Sequence, residues 1–123
     1  MAGKGRGKST YAGIEINFSA NYTDLVNSMK DIDKEAEQLQ KNLSETQKAL
    51  AFDPDNIELA ALNEKNLALA IDNVAEKLRL LKEAEKEVNA GFEAGNIQAD
   101  AYARFQTEIA KTTTTLEQFK KQQ

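Results

Sequence analysis

The spacing of apolar residues changes once along the chain, and this change separates a strand from the helices that follow it. Over residues 11–20, Ile14, Ile16 and Phe18 alternate with polar residues. A period of two is typical of a β-strand with one buried face. From residue 22 onward the apolar positions recur every three or four residues, which predicts helices with one apolar stripe each.

The first predicted helix spans residues 23–51, with Asn21 or Thr23 as its N-cap. Its apolar seam repeats at alternating intervals of four and three residues, which is the heptad spacing of coiled coils. The members of this seam are Leu25, Met29, Ile32, Ala36, Leu39, Leu43, Thr46 and Leu50. The opposite face carries Lys, Glu, Gln, Asp and Asn, so we expect it to face solvent.

A turn interrupts the helical pattern directly after the first seam. Pro54 disfavours helix in the residue before it, and Asp55 or Asn56 can cap the next helix. We interpret the acidic residues here as capping groups, because the segment lacks the glycine and the closing glutamate of a calcium-binding loop. The residues assigned to the turn are Phe52, Asp53, Pro54 and Asn56.

Two further helices are predicted over residues 56–91 and 97–121, with Gly91 and Gly95 on either side of the turn between them. Both have seams with heptad spacing. The seam of the second helix consists of Ala60, Glu64, Leu67, Ile71, Val74, Leu78, Leu81, Glu85, Val88 and Phe92. The seam of the third helix consists of Tyr102, Phe105, Ile109, Thr112, Leu116 and Phe119. We interpret the two glutamates of the second seam as polar positions that set the register.

These elements predict an all-α fold, in which one short β-strand precedes an extended, heptad-patterned and coiled-coil-like arrangement of three helices. A single strand cannot satisfy its own backbone hydrogen-bonding groups. We therefore expect the strand to pair with a second copy of the chain or with a partner protein. Residues 1–10 carry Lys4, Arg6 and Lys8 between glycines, and we expect them to form a flexible basic arm. The remainder is acidic, because the whole chain has a net charge of −4 although these three basic residues are positive.

The composition removes most catalytic chemistry. The chain contains neither His nor Cys, which excludes zinc and iron–sulfur sites built on these residues, thiol nucleophiles and histidine acid–base pairs.

The glycine-rich segment at Lys8 and Ser9 formally resembles a phosphate-binding loop, but it lacks the preceding strand and the following helix that such a loop needs. We therefore expect no enzyme, no metal, no cofactor and no small-molecule substrate. We also expect no specific nucleic-acid binding, because three basic residues are few.

Four segments occur in an order that is more specific than any single motif. They are the IEI strand, the helix end LQKNLSETQKALAFDPDN, the segment EKLRLLKEAEKEV and the turn FEAGNIQADAYARFQTEI. Together they resemble the N-terminal region of the tail tape measure proteins of long-tailed bacteriophages and prophages, and the resemblance covers Gly13 to Gln123. Its most telling residues are Leu50, Phe52, Asp53, Pro54 and Asn56 at the first turn, and Gly95, Ile97, Tyr102, Phe105 and Ile109 at the second.

The resemblance implies a structural protein of the virion tail that acts as a ruler. Proteins of this family extend along the tail lumen, template assembly of the tail tube, set the tail length and dock to a tail-end or baseplate component. The implied partners are further copies of the chain in a multi-copy helical bundle, together with tail-tube, tail-tip, baseplate or assembly-chaperone proteins. The implied location is the virion tail, after assembly in the cytoplasm of the bacterial host.

Two other interpretations stay open on the residues alone. A non-viral coiled-coil adaptor or a secreted helical-hairpin protein would have the same seams, and a nucleotide switch would need the glycine-rich segment to bind ATP. The heptad pattern still runs at the last residues of the chain. We therefore expect the sequence to be the N-terminal part of a longer protein.

Overall fold

A computed structural model describes residues 6–11 and 14–123, and it describes side chains from Thr23 onward. In chain order, the elements are strands β1 (Arg6–Tyr11) and β2 (Ile14–Ser19), followed by helices α1 (Ala20–Phe52), α2 (Ile57–Glu93) and α3 (Ala99–Gln122). The all-α class of the fold is confirmed, because helices contain most of the described residues. The helices begin and end within about three residues of the predicted positions.

The two strands form an antiparallel hairpin, in which Arg6 is opposite Ser19 and Tyr11 is opposite Ile14. Residues 6–10 thus belong to a strand, where the sequence analysis expects a flexible arm. Strand β2 has β1 on one edge, and its pairing with another molecule stays a prediction. The physical reason is proximity. The preceding segment can supply the missing hydrogen bonds across a short connection, at a small entropic cost.

Part of the predicted N-terminal region lies outside what the structure describes. Residues 1–5 of the predicted arm are outside the described residues, as are the side chains of Ile14, Ile16 and Phe18. The backbone of the hairpin lies beside α1, and β2 also approaches α3. The hairpin is therefore next to the two outer helices of the bundle.

The turn between α1 and α2 is held by hydrogen bonds centred on Asn56. Helix α1 ends two residues before Pro54, as expected from the restriction that proline places on the residue before it. The Asn56 side chain caps α2, since its Oδ1 accepts a hydrogen bond from the backbone N–H of Leu59 at 2.9 Å. Its Nδ2 donates to Asp53 Oδ2 at 3.1 Å, and its backbone N–H donates to the Asp53 carbonyl at 3.1 Å.

The turn between α2 and α3 needs a glycine. Gly95 has a φ of +81°, which is a left-handed conformation without penalty for a residue that lacks Cβ. The N–H of Asn96 donates to the carbonyl of Gly91 at 2.8 Å, and the N–H of Gly95 donates to the carbonyl of Phe92 at 3.1 Å. This pair of bonds is the Schellman motif, which satisfies the last carbonyls of a helix.

Helix α2 is the central helix of the bundle. Helices α1 and α3 each run antiparallel to α2 and pack against it, and they contact each other much less. The chain is therefore folded back on itself, and the 37 residues of α2 give the bundle a length of about 55 Å. The hydrophobic core lies near the α2–α3 turn and consists of Val26, Met29, Leu80, Leu81, Ala84, Val88, Ile97 and Phe105.

The α1–α2 turn projects beyond the end of α3. Gln123 lies beside Glu64, Lys65 and Leu67 of α2. Because α2 begins at Ile57, its first two turns or so extend past α3. We refer to residues 52–58 as the α1–α2 tip.

Burial distinguishes Phe105 of the third predicted seam from Phe52 of the predicted turn. Phe105 is 0% exposed in the core, whereas Phe52 is 94% exposed at the α1–α2 tip. We expect Phe105→Ala to lower the free energy of unfolding by about 3–5 kcal/mol, because it leaves a cavity. Phe52→Ala should change it by no more than about 0.5 kcal/mol. Urea denaturation followed by circular dichroism measures both, and equal losses would contradict the position of the core.

Candidate functional site

Most residues of the predicted seams are buried or half-buried in the helical bundle. The buried apolar members are Met29, Leu43, Leu67, Val74, Leu81, Val88 and Phe105. The half-buried ones are Leu25, Ile32, Leu39, Leu50, Ile71, Leu78, Tyr102, Ile109, Leu116 and Phe119. Ala60 and Glu64 are exposed. Phe92 is also exposed, and its ring stacks on Tyr102 with the ring centroids 4.3 Å apart.

Helix α2 has a second inward-facing seam that the apolar pattern does not reveal. Its members also follow heptad spacing, but four of the seven are polar or charged. We call this set the polar seam of α2, and it consists of Asn63, Asn66, Ala70, Asn73, Lys77, Leu80 and Ala84. The available signal in the sequence is the recurrence of asparagine at positions 66 and 73, one heptad apart.

The polar seam joins α2 to α1 through hydrogen bonds at two levels. Thr46 Oγ1 donates to Asn63 Oδ1 at 3.0 Å. One heptad or more away, Asn73 Nδ2 donates to the backbone carbonyl of Ile32 and to Glu35 Oε1, both at 3.1 Å. Because a buried polar group is costly without a partner, a shift of either helix would leave these groups unsatisfied. The bonds therefore fix the register between α1 and α2.

Lys77 connects all three helices. Its Nζ lies 3.0 Å from Asp33 Oδ1 on α1 and 2.9 Å from Glu108 Oε2 on α3. The side chains of Lys77 and Glu108 are each only 16% exposed, and that of Asp33 is 41% exposed. Charge-assisted hydrogen bonds are stronger when they are shielded from water. This ion triad therefore ties the two outer helices to one side chain of the central helix.

Two more polar contacts join α2 to α3. Gln106 Nε2 donates to Glu85 Oε2 at 2.9 Å, and the hydroxyl of Tyr102 donates to Asn89 Oδ1 at 2.8 Å. Glu85 thus accepts a hydrogen bond from α3, which agrees with its interpretation as a polar residue that sets the register. Glu64, the other glutamate of the predicted seam, is exposed.

A further ion pair lies on the outer face of α2. Arg79 donates to both carboxylate oxygens of Glu76, with the shorter distance 2.6 Å. These hydrogen bonds lower the pKa of Glu76 and raise that of Arg79. Since the folded-state pKa of Glu76 is lowered, its contribution to stability is present above the unfolded-state pKa and is lost as the pH falls through the folded-state pKa. The contribution is small, because exposed pairs are screened by water.

An open groove lies between the outer helices, on the half of the bundle away from the core. Its volume is about 390 Å³. Small side chains on each helix leave this space, and larger apolar ones form its walls. The apolar part of the lining and the threonine beside it are Ala36, Leu39, Ala70, Val74, Thr115 and Phe119.

The α1–α2 tip presents apolar side chains to solvent. Phe52 is 94% exposed, and Ile57 is 83% exposed. The predicted turn residues Asp53 and Pro54 are exposed as well, whereas Asn56 is half-buried by its capping role. The structure thus places the predicted turn residues together and shows that its aromatic member lies outside the core.

Within the described part of the chain, no group of three or more carboxylates is positioned to hold a metal ion. None of the helices over residues 20–122 is long and apolar enough to cross a membrane. Comparisons of the chain with family models, curated proteins and solved structures give no match. The polar seam, the groove and the tip are therefore the features on which a functional proposal depends.

The ion triad can be tested against an exposed pair on the same helix. We expect Lys77→Met to lower the free energy of unfolding by about 2 kcal/mol, because Glu108 would be left largely buried without its cation. The control Arg79→Met removes an exposed cation and should change the free energy of unfolding much less, because water screens this pair. Adding Asp33→Asn and Glu108→Gln to Lys77→Met should recover part of the loss. Equal effects of the two methionine variants in thermal unfolding would contradict a central role for Lys77.

Proposed function

We propose that the chain is the N-terminal part of a bacteriophage or prophage tail tape measure protein, and that it acts in tail assembly and length determination. The observation that carries the proposal is the order of four segments from the IEI strand to FEAGNIQADAYARFQTEI, which resembles the start of such proteins. The proposed location is the virion tail after assembly in the host cytoplasm. The proposed role is structural and not enzymatic.

The physical character of the bundle supports a mechanical role. A helix converts residue number into length at about 1.5 Å per residue, so helical proteins suit the task of measuring distance. The polar contacts of Asn73, Lys77 and Gln106 join helices to each other. Their side chains therefore support a role in holding the helices in register.

We also propose that the heptad seams take part in packing between several copies. Leu62 and Leu69 of α2 are 45% and 43% exposed, and both lie away from the core. Such partly exposed leucines at heptad spacing support coiled-coil packing with neighbouring helices. The further proposed partners are tail-tube, tail-tip, baseplate or assembly-chaperone proteins.

The folded bundle has a consequence for any ruler built from it. Three helices end to end would span about 140 Å, but the antiparallel bundle is only about 55 Å long. We therefore propose that residues 20–122 form a compact starting domain, and that length is measured by helical sequence that follows residue 123 in the parent gene. Under this proposal, residues 20–122 dock to the tail end, and the helical sequence that follows them measures length.

The test is an in-frame deletion of about 70 helical residues that follow residue 123 in the parent gene. At 1.5 Å per residue, a ruler predicts tails that are shorter by about 100 Å in electron micrographs. The matched control replaces the same residues with an unrelated helical sequence of equal length, and tail length should then stay unchanged.

Unchanged tails in infectious particles carrying the deletion would contradict the ruler. The competing function, a non-viral coiled-coil adaptor or a secreted helical-hairpin protein, predicts instead a reading frame that does not continue for hundreds of helical residues. If the deletion abolishes tails and the helical replacement of equal length restores them, shorter deletions are needed. In that series, tail length must fall in proportion to the number of residues removed.

A further inference from the structure

The groove between α1 and α3 lies between two contacts that join these helices. On one side of it, Lys77 links Asp33 of α1 to Glu108 of α3. On the other side, Gln47 Nε2 of α1 donates to Gln122 Oε1 of α3 at 3.2 Å. The two contacts are about 20 Å apart along the helices. The groove is therefore a bounded space within the bundle.

The lining of the groove is mostly apolar. Leu39 of α1, Val74 of α2 and Phe119 of α3 each form part of it. The lining includes Glu37 but no Lys or Arg. A volume of about 390 Å³ is within the range of sites that bind small molecules. Such sites are typically apolar and have a few polar groups that orient the ligand.

Asn73 provides the groove with a hydrogen-bond acceptor that has no partner. The residue is only 7% exposed. Its Nδ2 donates to the backbone carbonyl of Ile32 and to Glu35 Oε1, both at 3.1 Å. Because a carbonyl and a carboxylate can only accept, these two bonds establish which amide atom is the nitrogen. In the described part of the chain, no group donates to the remaining atom, Oδ1.

The Oδ1 atom of Asn73 faces the groove. Ile32 and Glu35 line a separate depression, which shares Leu39 and Asn73 with the groove. The Nδ2 atom points towards that depression, and the oxygen lies on the opposite edge of the planar amide. A buried acceptor without a partner is costly, so a ligand that donates a hydrogen bond to Oδ1 gains from it.

Two other groups in the lining also favour a ligand with a donor. Thr115 Oγ1 donates its proton to the carbonyl of Lys111 at 2.9 Å, so it can only accept from a ligand. The carboxylate of Glu37 accepts hydrogen bonds and repels anions. The Phe119 ring offers a surface on which a second aromatic ring can pack. The expected ligand is therefore aromatic, not anionic, and carries an N–H group.

We propose that the groove binds a small, uncharged aromatic molecule with one ring N–H, of the indole class. The N–H donates to Asn73 Oδ1, and the ring packs against Leu39, Val74 and Phe119. The ligand is uncharged because a charged group would lose its hydration among these apolar side chains. The inference does not depend on the ruler function, which is assigned to sequence after residue 123.

The test titrates the ¹⁵N-labelled chain of 123 residues with indole and follows its backbone amide signals by NMR. We expect a Kd of about 1 mM or lower, with the largest shifts in the three segments that line the groove, residues 36–40, 70–74 and 115–119. The matched ligand is benzofuran, which has nearly the same shape but an oxygen in place of the N–H. It should bind at least about tenfold more weakly, because it leaves Asn73 Oδ1 without a donor.

Two leucine variants test the location of the site. Ala36→Leu places a larger side chain in the groove and should weaken indole binding at least about tenfold. It should not lower the temperature of thermal unfolding, because it fills open space. The control Ala68→Leu makes the same change at an exposed position of α2 and should leave the affinity for indole unchanged. The comparison of indole with benzofuran uses the unmodified chain, so it decides the proposal even if Ala36→Leu fails to fold.

Three results would overturn the proposal. The first is the absence of any shift at about 10 mM indole. The second is equal affinity for indole and benzofuran, since the groove would then accept apolar molecules without using Asn73. The third is a set of shifts outside the groove, or shifts that a folded Ala36→Leu variant leaves unchanged. Failure of the ruler is a different result, because it appears as unchanged tail length and leaves indole binding intact.

Discussion

The arrangement of the bundle depends on one constraint, which is that α2 must satisfy two neighbours at once. Lys77 shows this most directly, because its ammonium group lies within 3.0 Å of carboxylates on both α1 and α3. A cation that is mostly removed from water needs these partners. Any rearrangement that moves one outer helix leaves Lys77 or a carboxylate poorly compensated, so the ion triad favours one relative position of all three helices.

The helices could be predicted from the sequence because each carries a long, regular apolar seam. Residues such as Met29, Leu81 and Phe105 recur at heptad spacing and are buried, and Pro54 and Gly95 mark the turns. Strand β1 could not be predicted in the same way. Arg6, Lys8 and the neighbouring glycines lack an alternating pattern, and the segment becomes a strand because β2 lies beside it.

The interior contacts were harder to predict, because they involve residues that usually face solvent. Asn66, Asn73 and Lys77 resemble the exposed face of a helix until a second neighbour covers them. Phe52 presents the opposite case. Its assignment to the turn does not say how exposed it is, and the structure leaves it 94% exposed at the last residue of α1. In both cases, the burial of a side chain depends on how many helices lie beside it. The spacing of apolar residues within one helix does not give this number.

The separation between the ion triad and the α1–α2 tip has a consequence for how such a chain can evolve. Positions 52 and 57 make almost no contribution to the core, so mutations there are nearly neutral for folding. A change at either position can therefore be made alone, without first restoring lost stability. A change of Lys77 has to be matched on two other helices, because its ammonium group is shared between Asp33 and Glu108.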